Sequence, residues 1–317
     1  MTTDLTEITV VGDDDTGLVA RVTTLLFERG CNIEDVDQAV QDGLFRMTAL
    51  VSTDEMVCKP ATLREDLQAL GEELGVDVRV RFPTTRDTPR LAILVTHESH
   101  ALRALLSADL DAEIAFVAGN RPDLEPVAAA HDVPFHHVGD DRGVPDDDRL
   151  LELLDDADVD LVALARYMRI LPPEIVFRYE GRIVNVHPSL LPAFPGAEAY
   201  RQALEAGVRI AGVTAHYVTT DLDGGPIVAQ RAFDVPPDAE LDDLKTRGQP
   251  LEAAVLVEAV RAHLADDLRT HRGRTRVRGD DYQLGLPEAA QAANPDGPVD
   301  GEGPTTETAA EAGDVGD

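Results

Sequence analysis

Apolar and polar positions follow two rhythms along the chain. Ile8-Thr9-Val10-Val11 is a short apolar run, and from Thr16 to Arg29 the residues Leu18, Val19, Val22, Leu25 and Leu26 recur at helical spacing. A strand followed by an amphipathic helix is predicted, with Thr16 as its N-cap and Gly30 just past its end. Ile33 to Val40, a turn at Gln41-Asp42-Gly43 and Leu44 to Val51 read as a hairpin. Pro60 opens a second helix running to about Gly75, and Val76 to Phe82 is a last strand. Pro83 to Pro89 is polar and has no period, which places a linker at 84–89. Beyond it the apolar runs Leu91–Thr96, Ile114–Ala118, Pro134–Val138, Val159–Leu164 and Arg182–Val186 alternate with helical patterns. That alternation predicts a mainly parallel sheet covered on both faces.

The first order, β-α-β-β-α-β, is that of a ferredoxin-like plait, and a fold alone fixes no activity. Asp13-Asp14-Asp15-Thr16-Gly17-Leu18-Val19 followed by Gly30-Cys31-Asn32-Ile33 resembles the ACT family of small-ligand regulatory domains. The resemblance implies pairing of subunits through their sheets and an amino-acid effector, methionine or glycine, at Asp15, Gly17, Asn32 and Ile33. The expected organisation is an ACT-like domain at 1–83, a catalytic domain at 90–286 and a disordered tail at 287–317. From Gly279 onward there are ten acidic residues and no basic one, too little apolar surface to offset chain entropy.

Composition narrows the setting. The formal charge is −32, and only Lys59 and Lys245 are lysines. Such a surface repels nucleic-acid backbones, which argues against a polyanionic partner, and it suits a halophilic source whose salt screens the repulsion. No window reaches about 18 uninterrupted apolar residues, and the opening Met1 to Glu7 lacks a signal-peptide pattern, so a cytoplasmic protein without a membrane partner is expected. Cys31 and Cys58 have no His or Cys at metal-ligand spacing, and His97, His100, His131, His136 and His137 match no common zinc pattern. No metal site is expected.

The chemistry concentrates after Arg182. Ligands in open α/β sheets bind beyond the carboxyl ends of the strands. Asn185 and His187 lie two apart on a strand that runs into Pro188-Ser189-Leu190-Leu191-Pro192, so a carboxamide and an imidazole share one side. Asp223 follows within His216 to Ile227, on a Gly-Gly-Pro turn. Taken singly, an Asn-x-His at a strand end is more often structural, and an Asp in such a turn is equally well explained as loop chemistry.

Together with Leu164 to Leu171, however, these motifs stand in the order found in enzymes that use 10-formyltetrahydrofolate, and the resemblance spans roughly 90–269. It implies a doubly wound formyltransferase-type domain, the catalytic trio Asn185, His187 and Asp223, and a folate pocket lined by Met168, Arg169, Ile170, Leu171, His216, Val218 and Asp221. Asn185 and a protonated His187 are donors for a developing oxyanion, and Asp223 is a base that also holds His187 charged.

An ACT-like domain ahead of a formyl-folate domain resembles the formyltetrahydrofolate deformylases. That family implies hydrolysis to formate, which supplies purine synthesis and balances one-carbon pools, with folate as substrate and no tightly bound cofactor. Pro188 stands where deformylases commonly have a second His and resembles the glycinamide ribonucleotide transferases, so formyl transfer to that amine stays the alternative. Against it, the loop His97-Glu98-Ser99-His100 has no glycine to cradle a phosphate and carries a carboxylate. Three further readings are weaker. A catalytically dead regulator need not keep the trio, a nicotinamide enzyme would need a Gly-x-Gly-x-x-Gly after an early strand, and tRNA formylation lacks a basic module.

Overall fold

The computed structural model describes residues 5–41, 43–82, 88–271 and 273–277. Most of the expected linker and all of the acidic tail lie outside these residues.

The first unit runs β1 (Thr6–Asp13), α1 (Leu18–Glu28), β2 (Asn32–Gln41), β3 (Leu44–Ser52), α2 (Pro60–Leu74) and β4 (Val76–Arg81). Its four-stranded antiparallel sheet has the order β2-β3-β1-β4, the plait read from the sequence. Ile8 and Val10 of β1 pack with Leu18, Val22 and Leu26 of α1 and Leu63 and Leu67 of α2. Each fully buried aliphatic of this kind contributes about 1.5–3 kcal/mol. Thr16 is not the N-cap. Gly17 takes that position at φ 93°, a left-handed turn that a side chain resists, and no side chain caps the helix. Gly30, at φ 73°, does end α1 as expected.

The second unit runs β5 (Arg90–Val95), α3 (His100–Ser107), β6 (Glu113–Gly119), α4 (Glu125–Ala129), β7 (Phe135–His137), α5 (Asp147–Asp156), β8 (Leu161–Leu164), α6 (Pro173–Arg178), β9 (Ile183–His187), α7 (Ala199–Glu205), β10 (Ile210–Tyr217), β11 (Ile227–Asp234) and α8 (Leu241–Leu264), and a hairpin follows, β12 (Leu268–His271) and β13 (Arg274–Val277). Its seven-stranded sheet has the order β11-β10-β9-β8-β5-β6-β7. β5 to β9 pair in parallel, whereas β10 is antiparallel to both β9 and β11. Strand alternation on β5 explains why both faces are covered. Leu91, Ile93 and Val95 join α3 and α8 in one core, and Ala92 and Leu94 join α5 and α6 in the other.

The face of the first sheet that α1 and α2 leave open packs on α6. It does so largely through charge. Arg46 is 3% exposed, pairs with Glu180 and Asp37, and lies 5.6 Å over the Phe177 ring. Arg182 reaches Glu7 at 2.9 Å, Arg178 reaches Asp77 at 3.2 Å, and Arg79 and Arg81 pair with Asp155 and Asp160.

Candidate active site

The sheet order reverses between β5 and β8, and the loops that follow β5, β8, β9 and β10 surround a cavity of about 520 Å³. Each of the ten pocket residues expected from sequence lines it: Asn185, His187 and Asp223, the segment Met168 to Leu171, and His216, Val218 and Asp221.

β9 delivers Asn185 and His187 on one side, and Asp223 meets them from the loop after β10, held at φ 53° beside the Gly224-Gly225 turn. Asp223 Oδ2 lies 3.4 Å from His187 Nδ1 and accepts the Gly196 backbone N–H at 2.7 Å. Burial alone would raise the Asp223 pKa, but the His216 ring, whose Nε2 lies 3.6 Å away, the bond from the Gly196 N–H and the nearby His187 outweigh it and hold the carboxyl below its usual range.

His187 Nε2 donates to the Phe194 carbonyl at 2.9 Å, because a carbonyl can only accept. Burial lowers the His187 pKa more than the Phe194 carbonyl and Asp223 raise it. That direction, with Nε2 donating to Phe194, favours a neutral ring whose Nδ1 can accept a proton over the charged His187 expected from sequence. Desolvation outweighs a carboxylate that stands beyond hydrogen-bond distance.

His216 supports the trio. Its Nδ1 donates to the Tyr217 carbonyl at 2.9 Å, which leaves Nε2 to accept from Asn185 Nδ2 at 3.2 Å. An amide has two such hydrogens, so one remains for a ligand.

Two sets of contacts were not legible in the sequence. Arg166, at φ 63°, lines the cavity, and its Nε donates to Glu98 at 2.6 Å and lies 3.4 Å from Glu252. Glu252 of α8 is 1% exposed and also holds His100 at 3.1 Å and the Tyr200 hydroxyl at 2.5 Å. Glu98, His100 and Glu252 bring donor atoms within 4.8 Å of one another, but the Arg166 guanidinium supplies the positive charge there. Among the five histidines weighed as metal ligands, His100 is the one drawn into this buried network. The second is that of Gln41, whose side chain accepts from the Thr220 hydroxyl and so ties the β2–β3 turn to the loop after β10.

The residues expected to hold an effector are not gathered in one chain. Asp15 and Gly17 precede α1, Asn32 and Ile33 follow it, and its 11 residues separate the pairs by roughly 16 Å. Asn32 instead donates to Glu34 at 2.6 Å.

Residues 89–260 match the formyl transferase family and residues 7–81 the ACT domain. A formyltetrahydrofolate deformylase of Bacillus subtilis is 35% identical over 273 residues, covering 83% of this chain and 90% of its own length. The chain belongs to the formyltetrahydrofolate deformylase family. The crystal structure of a formyltetrahydrofolate deformylase from Pseudomonas syringae superimposes with TM-score 0.59 at 32% identity, covering 87% of this chain and 94% of that one. A phosphoribosylglycinamide formyltransferase from Anaplasma phagocytophilum has TM-score 0.58 and 33% identity but covers only 62% of this chain, although 97% of its own. The transferase thus matches less of the chain than the deformylase does. Membership in the deformylase family accounts for both domains, which a transferase likeness does not.

Proposed function

We propose that this chain hydrolyses 10-formyltetrahydrofolate to formate and tetrahydrofolate, with Asn185, His187 and Asp223 at the reacting carbon. The observation that carries this reading is the convergence of the three in one cavity walled by 168–171 and 218–222. Charge supports it too. In a chain at −32, Arg166, Arg169, Arg201 and Lys245 line this cavity and balance Glu98, Glu198, Asp221 and Asp223 there, so it is less negative than the chain as a whole and can admit an anionic folate.

Water held by Asp223 attacks the formyl carbon, forming a C–O bond, while the free Asn185 N–H stabilises the oxyanion. The water proton passes through Asp223 to the unprotonated Nδ1 of His187. The imidazolium returns it to the folate nitrogen as the C–N bond breaks, and formic acid loses its remaining proton to solvent.

The finer assignments belong to the same proposal: domains at 1–83 and 90–286, no tightly bound cofactor, a cytoplasmic and halophilic setting, and formate supplied to purine synthesis. The pocket would use 168–171, His216, Val218 and Asp221 on the pterin side. An amino-acid effector that uses both Asp15-Gly17 and Asn32-Ile33 would draw one pair from each of two copies, which supports a homo-oligomer.

The test is formate release by the purified protein in molar salt, with and without glycinamide ribonucleotide. Formate without the nucleotide is expected. Turnover only in its presence would assign a transferase instead.

A further inference from the structure

Doubly wound sheets take ligands at the point where strand order reverses, because adjacent loops there splay apart. In this chain one side of that crevice, between β5 and β8, is plugged by a charge network, while the rest stays open as the cavity. Glu98 comes from the turn after β5 and Arg166 from the turn after β8, while His100, Tyr200 and Glu252 close the network from α3, α7 and α8. Thr96 pins the two turns together, accepting from the Met168 N–H at 2.9 Å and donating to buried Asn120 at 2.8 Å.

Three features mark the plug as built rather than incidental. Arg166 is held in a left-handed conformation that a side chain adopts at a cost, and such strain persists where the surroundings dictate it. Gly248 of α8 carries no Cβ where one would collide with the Tyr200 hydroxyl, so the helix is cut away to admit that ring. Burial opposes ionisation of Glu252, yet bonds from His100 and Tyr200 and the charge of Arg166 hold it ionised.

Resting on the deformylase reading, we infer that Arg166, locked by Glu98 and Glu252, is the specificity-determining residue that closes the acceptor side of the cavity so that only water reaches the formyl carbon. An amine entering the crevice would have to displace a guanidinium whose departure strands two carboxylates, one of them 1% exposed. A cationic amine would also meet Arg166 itself.

The experiment is a partition measurement on the full chain with 10-formyltetrahydrofolate and glycinamide as the probe amine. Attack by the amine nitrogen would form N-formylglycinamide, break the same C–N bond and return a proton to the folate nitrogen, so tetrahydrofolate is made by both routes and formate by one. In the wild type, formate should equal tetrahydrofolate at every amine concentration. Arg166→Gly suits the left-handed backbone and empties the crevice, and it should raise the ratio of formylated amine to formate by about tenfold or more. Glu98→Ala, which releases Arg166 from one of its two carboxylates without touching that backbone, should shift the ratio in the same direction and serves if Arg166→Gly does not fold.

An unchanged ratio in folded variants, or formylglycinamide made by the wild type, would overturn the inference. Failure of the wild type to release formate without amine would instead overturn the deformylase reading beneath it.

Discussion

Gln41 accepts a hydrogen bond from Thr220, joining the hairpin turn of the first domain to the loop that carries Asp223. Two residues 179 positions apart thereby share one contact at the rim of the cavity. A neutral hydrogen bond of this kind contributes about 1 kcal/mol, or roughly fivefold in an equilibrium. Gln41→Ala should raise KM for 10-formyltetrahydrofolate by about that factor with kcat nearly unchanged. Steady-state kinetics decides, and a fall in kcat at constant KM would show that the contact acts on chemistry instead of loop order.

Asn185→Ala, His187→Ala and Asp223→Ala should each lower kcat by about 10²–10³ while leaving the fold intact, since each removes a group aimed at developing charge or a moving proton. Asp223→Asn keeps the acceptor from the Gly196 N–H and should still be slow, because the proton route to His187 is gone. Formate release beside circular dichroism separates chemistry from folding. Near-normal turnover in any one variant removes that residue from its role.

Stability should fall in mild acid through His263. Burial, with Arg182 and Arg81 nearby, pushes its pKa down from 6.5 to about 4, and its ring shares a 2.8 Å hydrogen bond with the Tyr217 hydroxyl. Above pH 6.5 neither folded nor unfolded state charges the ring and stability is complete; below it the unfolded chain binds a proton that the folded one refuses. Stability therefore drops between pH 6.5 and about 4, by at most roughly 1.4 kcal/mol per pH unit. Urea unfolding across this range should be steeper in the wild type than in His263→Gln, and parallel pH profiles would contradict the assignment.

Much of this was legible in the sequence because local rules coincide with the outcome. The β2–β3 hairpin, the helix opened by Pro60 and ended at Gly75, and the apolar runs of the parallel strands all follow from spacing and turn chemistry. Thr16 failed as an N-cap because the chain needs a left-handed residue immediately before α1, a backbone demand that side-chain preference does not reveal. β10 and β11 were not read as strands, since the motifs at their ends drew the functional reading and their antiparallel pairing has no local signature.

The trio and the walls of the pocket were legible through three separated motifs. Arg166 was read only as part of the 164–171 motif, and its pairing with Glu252, like that of Tyr200, was not legible, because the relationship spans 86 positions and exists only once α8 lies across the sheet. Gln41 and Thr220 escaped for the same reason, one belonging to each domain.

The arginine-lined seam between the domains has a consequence for how the molecule carries its acidity. Arg46, Arg79, Arg81, Arg178 and Arg182 are drawn from 28 basic residues and face inward toward carboxylates across the seam. Glu180, Asp155, Asp160, Asp77 and Glu7 match them one for one, so the seam is a near-neutral inner layer and the net charge of −32 rests on the remainder of the molecule. Dissolved ions act mainly on that outer charge, because partly buried pairs are screened far less than exposed ones. Dilution of salt would then strain the peripheral helices first, while the two domains stay clasped.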